Sequence, residues 1–377
     1  MDNKFFKEIK GKFGFGCMRL PKNGEEVDIE EFKRMVDYFL EAGFNYFDTA
    51  HGYISGKSEL AIKEVLTSRY PREKYLLTNK LSESFFNCEE DIRPLFEEQL
   101  KCCGVDYFDF YLMHAQNRIN YEKYKKCNAY NIAAQLKKEG KIRHVGLSFH
   151  DTADILDKIL SEQKDIIEIV QIQFNYLDYE SDSVQSRKCY EVLKKYNKPA
   201  IVMEPVKGGS LVNLPLEAKK VFDKLNSGSY ASYALRFAAQ FEMMAMVLSG
   251  MSNLEQMKDN ISFMKDVKPL DERESEAVKK VVSFILNKDL IPCTGCRYCV
   301  DGCPKKILIP ELFADLNAKL ITDDWNSPYY YEIHTSHNGK ASECIKCGKC
   351  ERICPQKLEI RNLLEKVAST FENGKGE

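Results

Sequence analysis

No charge of one sign dominates this chain: 55 lysines and arginines face 57 aspartates and glutamates, a formal net charge of −2. So even a balance argues against an electrostatic nucleic-acid binder. Long apolar runs are also missing. None approaches the roughly 18 residues that a membrane-spanning helix needs, and Met1 to Lys12 is charged, without the apolar stretch of a secretory signal. The expected setting is the cytosol, with neither nucleic acid nor membrane as a partner. At 44% apolar residues the chain has the material for a large core and is not a disordered one. Its 377 residues allow one large domain and a smaller one at about 150 residues per domain.

What the chain does have is cysteine, 14 in all, which in a cytosolic protein points to metal or redox chemistry before structural disulfides. Cys17, Cys88, Cys102, Cys103, Cys127 and Cys189 are scattered, whereas the other eight follow residue 290 in two runs of identical spacing. The chain is therefore expected to divide into a cysteine-poor domain, 1–285, and a cysteine-rich one, 286–377.

In the long part, apolar runs of strand length alternate with amphipathic helical segments, among them Ser58–Ser68 and Tyr124–Lys138. The strands are expected at Phe13–Met18, Tyr46–Asp48, Tyr75–Lys80, Phe108–His114, His144–Ser148, Ile169–Gln173, Ala200–Met203 and Met244–Ser249. Eight such units predict an α/β fold, a closed (β/α)8 barrel of the TIM type, with an open doubly wound sheet as the competitor. In a barrel the chemistry sits at the C-terminal ends of the strands. Polar residues there form a coherent set: Asp48, Tyr53 in the loop that follows, Lys80 and His114. Each has an ordinary structural explanation when taken singly, but chance is a poor account of four on consecutive units at one barrel end.

Phe47-Asp48-Thr49-Ala50, His51-Gly52-Tyr53, Gly56-Lys57-Ser58-Glu59, Lys80 and Tyr111-Leu112-Met113-His114 together resemble the aldo-keto reductase family, over roughly residues 12–265. The residue types suit the chemistry independently. Reducing a carbonyl with hydride requires a proton for the developing alkoxide, and a tyrosine with a pKa of about 10 needs a neighbour to tune it. Lys80 would stabilise the phenolate, Asp48 would hold Lys80, and His114 would orient the carbonyl oxygen. Tyr53 is then the general acid and a small aldehyde or ketone the substrate.

The resemblance implies NADPH or NADH as cofactor, with Ser148 and Gln171 on the nicotinamide amide. The family's stacking aromatic after the seventh strand is absent, and Met203 takes its place either as a ring cover or as core filler. Beyond the eighth strand, Gly250 and Ser252 lie where backbone N–H groups meet a phosphate at a helix start, and Asn260 matches the family's adenine contact. The basic residues that pair with a 2′-phosphate are missing, Gly250 and Gln256 standing at those positions, which puts NADPH preference in doubt.

The two cysteine runs, Cys293, Cys296, Cys299, Cys303-Pro304 and Cys344, Cys347, Cys350, Cys354-Pro355, both read C-x2-C-x2-C-x3-C-P. This is the bacterial ferredoxin pattern, in which the fourth cysteine of each run ligates the other cluster, so the tail resembles a two-cluster ferredoxin domain. That resemblance implies two 4Fe-4S clusters, one on Cys293, Cys296, Cys299 and Cys354, the other on Cys344, Cys347, Cys350 and Cys303. Zinc, which also takes paired C-x2-C units, is the alternative.

Hydride transfer moves two electrons at once and a cluster exchanges one. Either an intermediary such as FMN joins the two chemistries, although no flavin motif is visible, or the clusters serve structure or sensing. The expected function is an iron-sulfur oxidoreductase reducing an aldehyde or ketone, with electrons from nicotinamide or from a ferredoxin or other electron-transfer protein. The alternative is an electron carrier, or a flavin-linked one-electron reductase, whose barrel is a binding scaffold.

Overall fold

The computed structural model describes residues 3–182, 184–286, 290–293, 295, 297–322, 325–354 and 356–372. Cys296 and Pro355 of the cysteine runs fall outside them. The eight expected strands are all present: β1 (Phe13–Gly16), β2 (Tyr46–Asp48), β3 (Leu76–Leu81), β4 (Phe108–Gln116), β5 (Ile142–Phe149), β6 (Ile169–Gln173), β7 (Ala200–Met203) and β8 (Met244–Ser249). Every pairing among these eight is parallel, and β1 closes the ring by pairing with β2 through Gly14 and Tyr46 and with β8 through Phe13 and Val247. The open sheet is thereby excluded.

Strand periodicity sets the layers. Tyr46, Leu76, Phe110, Leu112, Ile169, Ile201, Met246 and Leu248 form the interior cluster, into which Phe6 and Ile9 of the N-terminal segment also pack. Further along their strands, two residues beyond Tyr46 and Leu112 and four beyond Leu76, this face continues upward as Asp48, His114 and Lys80. Alternate residues such as Phe15, Phe47, Leu77 and Val145 join the outer core. Gly146 has a specific reason to be glycine: a Cβ there would stand 2.6 Å from the carbonyl oxygen of Ile169 on the neighbouring strand.

Two helices depart from expectation. The segment expected as one helix from Tyr124 to Lys138 is two, Asn120–Lys126 and Ala129–Lys138, because Asn128 adopts φ +56° between them, a left-handed conformation that asparagine tolerates better than most residues. The helix after β2 runs Lys57–Ile62 and ends in a π-helical turn, Lys63–Thr67.

By compactness the chain divides into two units, one holding the barrel and the other gathering Lys207–Asn226 with the chain from Glu276 onward. In the second unit the helices Ile309–Thr322, Ser327–Thr335 and Ile360–Phe371 surround a core of Ile307, Ile309, Leu312, Phe313, Leu316 and Leu364. Tyr331 stacks on Phe371 at 4.8 Å, and His334 Nδ1 lies 2.8 Å from Asp315 Oδ2. Among the described residues no helix is long and apolar enough to cross a membrane.

Candidate active site and cysteine centres

The inner-face alternation delivers three of the four candidate catalytic side chains to one barrel end, and the turn after β2 adds the fourth. Lys80 Nζ donates to Asp48 Oδ1 at 2.5 Å, to the Thr49 carbonyl at 2.8 Å and to Tyr53 Oη at 3.1 Å. These use all three of its protons. The Tyr53 ring meets His114 edge to face at 5.9 Å between centroids. Asp48 and Lys80 are buried, and Tyr53 is half-buried.

Burial dominates the electrostatics. It disfavours the Lys80 ammonium, but Asp48 and Tyr53 together outweigh it and hold Lys80 above its ordinary value. Burial also raises Tyr53, and the opposing pull of Lys80 does not cancel it. Downward tuning by Lys80 was the expectation from sequence. The net direction is upward because desolvating the phenolate takes more than the nearby ammonium returns. His114 is driven well below its usual range by burial, then by Lys80 and His150, so its imidazole is neutral at physiological pH.

His114 is anchored by residues that sequence patterning did not single out. Ser82 Oγ lies 2.6 Å from its Nδ1, and its carbonyl accepts from Tyr124 Oη and Gln116 Nε2. The next residue, Ala115, has φ +50°, and its N–H donates to Ser148 Oγ at 2.8 Å. Gln99 supports the neighbouring strand: its Nε2 donates to the Lys80 carbonyl at 2.9 Å and its Oε1 accepts from Tyr111 Oη at 2.5 Å. Ser82 could have been found from the period of two, since it follows Lys80 on the same face. Gln99 lies on a helix and carries no such signal.

The candidate nucleotide residues are spread around the same mouth. Gln171 Nε2 donates to Asp48 Oδ2 at 3.2 Å, leaving its Oε1 as an acceptor, while Ser148, accepting from Ala115, keeps its own O–H to donate. A primary carboxamide offers the complementary acceptor and donor, so this pair fits a nicotinamide. Met203 is half-buried at the end of β7. Beyond β8, Ser252 N–H donates to Gln256 Oε1 and Ser252 Oγ to the Arg19 carbonyl. A Cβ on Gly250 would sit 3.4 Å from Arg19 Cβ. Asn260 is buried and donates to Ser249 Oγ at 3.1 Å, tying its helix to the end of β8. Arg19, paired with Glu204 at 3.2 Å, lies beside Gly250 and was not anticipated.

In the second unit, Cys293, Cys299 and Cys354 line one cavity, while Cys303, Cys344, Cys347 and Cys350 line another. Each cavity thus combines thiols of one run with the fourth cysteine of the other. Cys296, assigned with the first set, lies outside the described residues. The donor set is all thiolate, which suits iron-sulfur clusters. Among the described residues no three Cys, His, Asp or Glu side chains converge on a point, as a single metal ion demands.

Comparison with known proteins agrees with both halves. A sequence model described as "Aldo/keto reductase family" matches residues 12–283, and one described as "4Fe-4S dicluster domain" matches residues 292–359. The chain is 23% identical over 301 residues to an uncharacterised oxidoreductase, YqkF, of Bacillus subtilis, covering 71% of this chain and 90% of that protein. With the NADH-specific methylglyoxal reductase of Escherichia coli it shares 26% over 270 residues, covering 60% and 81%. Among solved structures, the holo form of aldo-keto reductase AKR11C1 from Bacillus halodurans superposes with a TM-score of 0.62 at 22% identity, over 74% of this chain and 95% of that one. An aldo-keto reductase from Klebsiella pneumoniae in complex with NADPH gives 0.59 at 17%, over 75% and 96%.

Proposed function

The chain belongs to the aldo/keto reductase family, and from that premise we propose that it reduces a small aldehyde or ketone to the alcohol, with a nicotinamide nucleotide as reductant and Tyr53 as general acid. Membership makes it an oxidoreductase of that type carrying a 4Fe-4S dicluster domain. The observation that carries the finer reading is the chain of contacts from Asp48 through Lys80 to Tyr53 Oη, 2.5 and 3.1 Å long, beside a neutral His114.

Bound nicotinamide would supply hydride to the carbonyl carbon. As the carbonyl oxygen gains negative charge, the Tyr53 O–H protonates it, and the phenolate left behind is held by the Lys80 ammonium until solvent restores the proton. His114, neutral and anchored through Nδ1 by Ser82, would orient the oxygen through Nε2. A raised Tyr53 pKa keeps the phenol protonated throughout the physiological range. Ser148 and Gln171 would hold the carboxamide, with Met203 against the ring and Gly250, Ser252 and Asn260 along the rest of the nucleotide. The nicotinamide-dependent names of the E. coli and K. pneumoniae proteins support this cofactor; FMN has no comparable support.

We assign residues 1–285 to this chemistry and 286–377 to two 4Fe-4S clusters, ligated by Cys293, Cys296, Cys299 and Cys354 and by Cys344, Cys347, Cys350 and Cys303. The clusters would exchange single electrons with a ferredoxin or another electron-transfer protein in the cytoplasm. The test is anaerobic incubation with NADH or NADPH and a small dicarbonyl such as methylglyoxal. Wild type should consume nucleotide and carbonyl in equal amounts, and Tyr53→Phe should bind nucleotide without turning over. Undiminished turnover by Tyr53→Phe removes the proposal.

A further inference from the structure

The two cysteine runs are an internal repeat, so the surroundings of the two cavities can be compared position by position. Two residues after the fourth cysteine of each run, Lys305 lines the cavity of Cys303, Cys344, Cys347 and Cys350, whereas Gln356 lines that of Cys293, Cys299 and Cys354. One residue before the third cysteine, Lys349 also lines the former, and Tyr298 is its counterpart in the first run. Two residues after the third cysteine stands Arg352, whose Nη1 reaches the Cys347 carbonyl at 3.5 Å; the counterpart is Asp301.

The differences that run the other way are neutralised. Arg297, matching Gly348, is ion-paired with the buried Glu311. Glu351, matching Val300, is paired with Arg361 at 2.8 Å. Lys306 and Lys357 occupy equivalent positions and cancel. The apolar walls are comparable, Ile309, Pro310, Phe313, Leu358 and Ile360 in the first cavity and Pro304, Ile307, Ile309, Ile345 and Leu364 in the second, so the difference between the two is one of charge.

We propose that the two clusters are unequal in reduction potential, the one on Cys303, Cys344, Cys347 and Cys350 being the more easily reduced because Lys305 and Lys349 face it where the other has Gln356 and Tyr298. The proposal rests on the cluster assignment above. Reduction adds one electron, and one negative charge, to a cluster. Nearby cations stabilise that charge, and the neutral side chains at the matching positions do not. A first electron delivered by a reductant such as dithionite therefore resides on the second set, and only a second one enters the first.

The test is an anaerobic potentiometric titration of the full-length, iron-loaded protein followed by electron paramagnetic resonance. Two one-electron waves are expected. Lys305→Gln and Lys349→Gln should each move the higher wave to lower potential and leave the lower wave in place, while Gln356→Lys should raise the lower wave. Coincident waves in a fully loaded protein, or lysine variants that shift the lower wave, overturn the inference alone. Iron content well short of two four-iron clusters overturns the assignment beneath it as well.

Discussion

Lys80 Nζ lies 2.5 Å from Asp48 Oδ1, with both side chains sealed from solvent at the inner face of the barrel. Neither charge is tolerable there without the other. Removing one partner of a buried pair costs about 3–5 kcal/mol, whereas replacing both by neutral groups of similar volume costs far less. Asp48→Asn and Lys80→Met should each lower unfolding stability by about that amount, and the double variant should recover much of it. Turnover follows a different pattern. Lys80→Met, alone or with Asp48→Asn, should lose a factor of about 10²–10⁴, because the Tyr53 phenolate has then lost its cation. Denaturant titration and steady-state rates on the three variants separate the two effects, and additive stability losses would exclude the coupling.

Ser82 Oγ lies 2.6 Å from His114 Nδ1, and under the proposed mechanism it positions the imidazole that would orient the carbonyl oxygen. Ser82→Ala should reduce kcat/KM about tenfold, the value of one hydrogen bond of about 1–1.5 kcal/mol, and Ser82→Thr should restore most of it. Stability is a poor readout here, so the imidazole nitrogen resonances should be followed too. A tautomer mixture in Ser82→Ala, against a single tautomer in wild type, is the expected signature; unchanged resonances would leave Ser82 a packing residue.

At the opposite end of the barrel, Asp109 is fully buried. It accepts from Arg72 Nη2 at 2.6 Å, Arg143 Nη1 at 2.9 Å and the Leu77 N–H at 2.8 Å. Tyr107 lies between the two guanidinium groups, 3.9 and 4.3 Å from them. This end of a barrel carries stability rather than chemistry. Asp109→Ala should cost about 3–5 kcal/mol of unfolding free energy while leaving kcat/KM of the folded protein within about twofold of wild type. A selective loss of activity at unchanged stability would contradict that division.

The residues that were legible in the sequence are those governed by short, fixed periods. Tyr46 and Asp48, Leu76, Thr78 and Lys80, and Phe110, Leu112 and His114 are i, i+2 series. One alternation therefore set both the interior cluster and the polar layer above it. Cys303 and Cys354 were legible because ligand spacing recurs. Less visible were features settled between distant segments. Gln99 reaches the Lys80 carbonyl from a helix, Arg19 meets Glu204 across 185 residues, and Asn260 turns to Ser249. Asn128 broke a helix whose hydrophobic pattern continued through it, since periodicity reports which face is buried and not whether one residue leaves the helical region. The upward shift of Tyr53 was missed for a related reason: a sequence shows the cation beside a phenol but not how completely both are desolvated.

His144 offers a prediction with a defined pH window. Its Nε2 lies 2.7 Å from Glu8 Oε1 and its Nδ1 3.0 Å from Glu168 Oε2, with Phe110 stacked on the ring at 4.9 Å. Burial opposes the imidazolium, but the two glutamates outweigh it and hold His144 above its ordinary 6.5. Glu168 is pulled down to about 2, against its own burial, by His144, Lys137 and the Val145 N–H. A raised histidine stabilises the fold fully below the unfolded value of 6.5 and stops doing so as pH rises through its folded value. A lowered glutamate stabilises above its unfolded 4.5 and stops as pH falls toward 2. The two windows overlap between about 4.5 and 6.5. His144→Gln should therefore be less stable than wild type by about 1 kcal/mol in that interval, and the gap should narrow as pH rises past neutrality. Comparing the two proteins at each pH removes any acid sensitivity they share, that of iron-sulfur clusters included. A gap that stayed constant from pH 5 to about pH 9 would show that His144 contributes through packing on Phe110 and not through its charge.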